Sequence, residues 1–170
     1  MVENKYVEMV CHLKETKLKD VPLPEAYEIR SLKDIHPDDV YPCYLAAFQA
    51  GDSPFFQQQD DAEKRDFFDS LGFDQAKNIP ESSLILKYNL IVGFTFIVPY
   101  GETNCHISCM CVHPDDQRQG LGAFMLKQAI NTATLQGYKT ITLWTETAMG
   151  AFQLYFKHGF EVRGNAGDSQ

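Results

Sequence analysis

The hydrophobic period changes repeatedly along this chain, and each change predicts an element. Apolar positions running through Tyr6, Val7, Met9, Cys11 and Leu13 predict a strand over residues 6–13. A lysine-rich connector, residues 14–20, leads past Pro22 and Pro24 to a second strand over 27–32. His36-Pro37-Asp38-Asp39 signals a helix start, with Val40, Tyr44, Leu45 and Phe48 on one face before Gly51. Proline fits only the first turn of a helix, so Pro42 places that start near Asp39. Residues 52–59 read as a loop carrying Pro54, Phe55 and Phe56. A second helix from about Asp60, with Phe67, Phe68 and Leu71 inward, stops at Gly72.

Beyond Gly72 the pattern turns strand-like. Ser83–Lys87 and residues 90–98 predict a hairpin across Tyr88-Asn89, because asparagine tolerates positive φ. Asn104–Val112 predicts the next strand. The stripe of Leu121, Phe124, Met125, Ala129, Ile130 and Ala133 then predicts an amphipathic helix over 121–136. A strand over 139–145, a helix over 149–158 closed by Gly159 and a strand over 160–163 complete the series. The order β–β–α–α–β–β–β–α–β–α–β predicts an α/β (α+β) fold, a mixed sheet with helices on both faces. One domain over residues 1–170, with 1–20 as an extra N-terminal strand and connector, is the expected organisation.

Composition narrows the function. A formal charge of −8 argues against nucleic-acid binding and is compatible with a cationic or amine-bearing substrate. The most apolar run, residues 90–98, is far shorter than the ~20 residues of a membrane-spanning helix. Neither a secretory pattern nor a paired cysteine framework is visible among the five cysteines, so a reduced, cytoplasmic protein is expected. Strand alternation puts Cys105, Ile107, Cys109 and Cys111 on one face and His106, Ser108 and Met110 on the other. Without a Cys-x-x-Cys knuckle these thiols read as core side chains and no metal is expected.

The most informative stretch is Gln117-Arg118-Gln119-Gly120-Leu121-Gly122. It follows a strand and a polar turn and opens a helix. First-turn amides have no intrahelical partner, and the macrodipole places about half a positive charge there. Gly120 and Gly122 carry no Cβ, so a pyrophosphate can approach the backbone closely.

At these residues the chain resembles the GNAT superfamily of acetyl-CoA-dependent N-acetyltransferases. Val112-His113-Pro114 followed by Gln117-x-x-Gly120-x-Gly122 matches one family motif, and Leu154-Tyr155-x-x-x-Gly159-Phe160 matches a second. The resemblance covers roughly residues 27–160 and implies a GNAT-like, mostly antiparallel sheet whose strands over 104–112 and 139–145 splay apart. By that resemblance the backbone of Met110, Cys111 and Val112 pairs with the pantetheine arm of acetyl-CoA. Arg118, Gln119, Gly120, Leu121, Gly122 and Ala123 then cradle the pyrophosphate.

The chemistry implied is acetyl transfer to a primary amine by direct attack in a ternary complex. Free ammonium has no lone pair, so a base must take a proton, and Glu146 is the first candidate, with His106 and Glu102 as alternatives. Met110 N–H is placed to meet the developing oxyanion, and Tyr155 to protonate the departing thiolate. The acceptor is a small molecule or a peptide amine, and Trp144, Phe55 and Phe56 suggest a partly aromatic pocket. Other acyl donors are open, and a non-catalytic CoA-binding sensor or interaction module is the alternative function. The family often has Asn seven positions before the tyrosine; here that position is Ala148. The chain also ends soon after Arg163, where family members usually add a strand. Residues 6–13 are expected to fill that vacant edge, from the same chain or from a partner in a homodimer.

Overall fold

A computed structural model describes residues 3–14, 22–51 and 53–165. Most of the expected connector, Asp52 in the expected loop, and the segment after Asn165 lie outside the described residues. Strands β1 (Tyr6–His12), β2 (Tyr27–Arg30), β3 (Ser83–Lys87), β4 (Leu90–Pro99), β5 (Asn104–Val112), β6 (Thr140–Glu146) and β7 (Glu161–Asn165) form one sheet. Among the described residues it is seven-stranded, ordered β2-β3-β4-β5-β6-β1-β7. Only β5 and β6 run parallel; every other pairing is antiparallel.

The position of β1 corrects one expectation. It comes from the same chain, but it fills a slot between β6 and β7 and leaves β7 at the edge. Its burial explains why. Val7, Met9, Val10 and Cys11 are all buried, so both faces of the strand are covered. A strand buried on both faces reads as a near-continuous apolar run and belongs inside a sheet.

Helices cover both faces. On one, α5 (Leu121–Leu135) and α6 (Gly150–Lys157) press Leu126, Ala129, Ile130 and Tyr155 onto Ile97, Ile107, Ile141 and Leu143. On the other, α1 (Pro37–Ala50), α2 (Pro54–Gln57), α3 (Asp61–Asp69) and α4 (Phe73–Ala76) bury Tyr44, Phe56, Phe68 and Phe73 against Leu84, Phe94 and Phe96.

Two of these helices, α2 and α4, are absent from the sequence-based order. Each is a single turn, too short to show a period. Helix α2 forms because Pro54 occupies its first position and Ser53 Oγ accepts from Phe56 N at 3.2 Å. Helix α1 begins earlier than expected, at Pro37, because His36 Nδ1 accepts from Asp38 N at 3.1 Å. Pro42 therefore lies inside the helix and not in its opening turn. The β3–β4 hairpin turns as expected, with Tyr88 and Asn89 at φ 51 and 66.

A bulge in β5 overturns the expected cysteine face. Opposite β4, Phe96 pairs with Cys109 and Ile97 with Ile107, which leaves Ser108 as an extra residue. Alternation changes phase there. Cys105 and Ile107 pack toward α5, whereas Cys109 and Cys111 join Cys43 on the α1 side.

Candidate functional site

The parallel ladder of β5 and β6 runs from Asn104↔Thr140 to Ile107↔Leu143 and then stops. Past the bulge the two strands part, and residues 108–112 have no β6 partner across the gap. From there β5 passes through a short 3₁₀ turn, Pro114–Asp116, to the glycine-bearing bend. Arg118 and Gly120 are both left-handed, at φ 64 and 80. Helix α5 then starts with no side-chain cap and no acidic residue in its first turn. Its opening amides are thus available to an external acceptor.

The two glycines do different jobs. A Cβ on Gly120 would meet nothing within 4 Å, so its surroundings are open, and its positive φ is what disfavours other residues. A Cβ on Gly122 would sit 3.1 Å from Leu154 Cδ2. Gly122 therefore makes room for α6, where the sequence suggested room for a ligand. The bend, the end of β5 and the start of α6 enclose a cleft of ≈ 480 Å³. Every residue expected to hold pantetheine or pyrophosphate lines it except Gln119. Asp116, only 5% exposed, also lines it and anchors the bend. It accepts from Tyr27 Oη at 2.8 Å and pairs with Lys87 Nζ at 3.5 Å.

A narrower cavity of ≈ 90 Å³ adjoins that cleft, with Met110 and Tyr155 lining both. Its walls are aromatic. Tyr6 stacks on Trp144 with centroids 5.4 Å apart and planes at 18°, and on Phe55 at 6.4 Å; Phe55 meets Phe67 edge-on at 5.2 Å. Glu146, buried at 6% exposure, supplies the carboxylate. It accepts from Ser53 Oγ, from Asn4 Nδ2 at 3.2 Å and from Phe55 N at 3.3 Å. Asn4 Oδ1 in turn accepts from Ala148 N at 3.0 Å, so one side chain ties the N-terminal arm to the β6–α6 turn. Lys5 and Thr147 extend the tie through bonds of 2.9 and 2.8 Å.

The comparisons agree with this geometry. Residues 81–162 match the family model described as Acetyltransferase (GNAT) domain. The GCN5-related N-acetyltransferase from Sphaerobacter thermophilus superposes with a TM-score of 0.73 at 17% identity, over 95% of this chain and 49% of that one. Over residues 81–162 the chain resembles a GNAT acetyltransferase domain, and its fold is that of the GNAT neighbours. In sequence it is 32% identical over 98 residues to the Mus musculus Cysteine-rich protein 2-binding protein, across 56% of this chain and 12% of that protein. It is 29% identical over 85 residues to the Shewanella oneidensis Amino-acid acetyltransferase, across 49% and 18%. The chain thus spans only a small part of the curated relatives it matches.

The GNAT fold implies acetyl-CoA, and the cleft fits that group: uncapped helix amides, an open Gly120 and a β5 edge facing no β6 partner over residues 108–112. Tyr155 stands at the junction of the two chambers. Burial raises its phenol well above the usual tyrosine range, with Cys109 and Cys111 adding to the effect. It is a neutral hydrogen-bond donor at physiological pH.

The alternative bases fare differently. His106 binds Thr142 Oγ1 through Nδ1 at 2.8 Å, and burial lowers its pKa to about 4. It lines a separate pocket beyond Tyr6 and Trp144, not the chamber holding Tyr155. Glu102 is exposed in the β4–β5 turn and lines none of the chambers described. Sequence reasoning missed Asn4, Tyr6, Ser53 and Asp116. Only Tyr6 carried a signal, as a large aromatic on a strand, and nothing in the sequence told which sheet position that strand would take.

Among the described residues no group of three or more His, Cys, Asp or Glu side chains is placed to hold a metal. Nor is any described helix long and apolar enough to cross a membrane.

Proposed function

We propose that this domain transfers the acetyl group of acetyl-CoA directly to a primary amine held beside it. The observation that carries this reading is the shared wall of the two chambers, formed in part by Met110 and Tyr155. A cleft with main-chain donors at one end lies against a pocket that offers a buried carboxylate, with Met110 and Tyr155 between them. From β1 to β7 the described residues act as one catalytic unit in this reading, supported by the place of β1 inside the sheet.

Residues Met110, Cys111 and Val112 would pair with the pantetheine arm, and the bend from Arg118 to Ala123 would hold the pyrophosphate. Acetyl-CoA supplies a thioester carbonyl and a thiolate leaving group. Glu146, directly or through water, takes the proton that blocks the amine lone pair. As nitrogen bonds to the carbonyl carbon and the carbon–sulfur bond breaks, Met110 N–H faces the oxygen that gains charge. Tyr155 returns a proton to sulfur. Two protons leave the nitrogen in all, one reaches sulfur and one passes to solvent.

Free-thiol release from acetyl-CoA with a panel of amines tests the reading. Amine-dependent release supports it. Tight CoA binding without release from any amine overturns it.

A further inference from the structure

The chamber beside Tyr155 is chemically one-sided, and this restricts what it admits. Two open pockets adjoin it, of ≈ 330 and ≈ 260 Å³, and Tyr6 and Phe67 line all three spaces. Among the described residues lining them, Glu146 is the only Asp, Glu, Lys or Arg. Lys64 rests its ammonium 4.5 Å from the centre of the Phe56 ring but does not line the cavity. His106, in the ≈ 260 Å³ pocket, is neutral at physiological pH.

Glu146 accepts from three donors, which leaves about one of a carboxylate's four acceptor positions for a ligand. Around it are aromatic side chains, whose rings attract both a cation and an apolar body. An α-carboxylate on the acceptor would find no cationic partner among these residues and would face Glu146. A desolvated charge without a partner is strongly disfavoured. A polyamine's further ammonium groups would find no second carboxylate.

We propose that the acceptor is a primary amine on an aromatic or similarly flat apolar body bearing no carboxylate. Its ammonium meets Glu146, and its body lies against Tyr6, Phe55, Phe67 and Trp144. The transfer step rests on the amine-acetylation reading above; the binding step does not. The amino-acid substrate named for the Shewanella oneidensis relative is therefore a poor fit here.

Trp144 is the chain's only tryptophan, so its fluorescence reports on this chamber. The experiment titrates the full chain, loaded with CoA, with 2-phenylethylamine, L-phenylalanine, spermidine and a short neutral peptide. Phenylalanine is the same amine with one carboxylate added. A saturable change with phenylethylamine, at least about tenfold tighter than with the other three, supports the proposal.

Glu146→Gln should weaken the amine by about tenfold or more with an unchanged circular dichroism spectrum. Gln58→Arg, at an exposed position on the outer pocket, should narrow the gap between phenylalanine and phenylethylamine. The proposal is overturned by no saturable change, by equal or tighter binding of the amino acid or peptide, or by undiminished binding in Glu146→Gln. Thiol release on the same samples separates the two readings. Amine bound but never acetylated overturns the acetylation reading alone, while turnover of amino acids or peptides only overturns this proposal alone.

Discussion

The two chambers of this domain are built by opposite means. The wide cleft comes mainly from one continuous stretch, residues 110–123, and what it offers is largely main chain: an open strand edge and uncapped helix amides. The narrow chamber gathers side chains from separate segments, with Tyr6 on β1, Phe55 on α2, Phe67 on α3, Trp144 and Glu146 on β6, and Tyr155 on α6. A main-chain site asks the sequence only for residues that take positive φ where the bend needs it, as Arg118 and Gly120 do, and for the absence of a cap. A side-chain site changes whenever any contributing segment changes. One chamber is suited to a constant ligand and the other to a selective one.

Tyr155, shared by both, should give the largest effect. Tyr155→Phe removes the donor while keeping the ring that packs on Phe160 at 5.9 Å. Loss of a general acid costs roughly 10²–10⁴-fold, so kcat for thiol release should fall within that range while calorimetric CoA affinity stays put. A drop of less than about threefold would show that another group, or water, protonates the sulfur.

Next in size is a lesion confined to the cleft. Gly120→Val forces a β-branched residue to φ 80, at a strain cost of about 1–3 kcal/mol, or a reshaped bend. CoA affinity should fall by roughly 5–150-fold, with the Trp144 fluorescence response to amine preserved. Loss of both ligands together would mean that the chambers are not separable as drawn.

The same contrast explains what was legible beforehand. The bend at 117–122 announced itself because the role proposed for it needs particular residues at fixed spacing within one short segment. The strands and helices α1, α3, α5 and α6 followed from period and turn residues, while the splayed sheet and the cleft were what the family resemblance implied. The narrow chamber was only partly visible. Trp144 and Phe55 looked aromatic, but Tyr6 and Asn4 reach the site only because β1 inserts beside β6, pairing Tyr6 with Glu146 and Val7 with Thr145. Such a long-range pairing leaves no local trace. The Ser108 bulge was equally silent, and it alone decides that Cys109 and Cys111 face α1.

A third test weighs that hidden contribution. Asn4→Ala deletes the bonds to Glu146 Oε1 and from Ala148 N, worth about 1–2 kcal/mol together. Amine kcat/KM should drop roughly 5–30-fold while CoA binding holds. Asn4→Asp keeps the acceptor for Ala148 N but sets a like charge against Glu146, so it should not restore activity. Full activity in Asn4→Ala would reduce the N-terminal arm to a structural strap.

The smallest effect concerns protons on the amine side of the sheet. His106 is pushed down to about 4 by burial, whereas in the unfolded chain it titrates near the ordinary 6.5. Below pH 6.5 the unfolded state takes up a proton that the folded state refuses, so folding loses stability as pH falls toward 4. Above pH 6.5 both states are neutral and the contribution is complete. His106 is only partly buried, so the loss should be on the order of 1 kcal/mol at pH 5, or about 2–4 °C in Tm. His106→Gln retains a partner for Thr142 Oγ1 and removes the titration, so its Tm should decline less than that of the unmodified chain between pH 7 and 5. Parallel melting curves for the two proteins across that interval would place the acid sensitivity elsewhere.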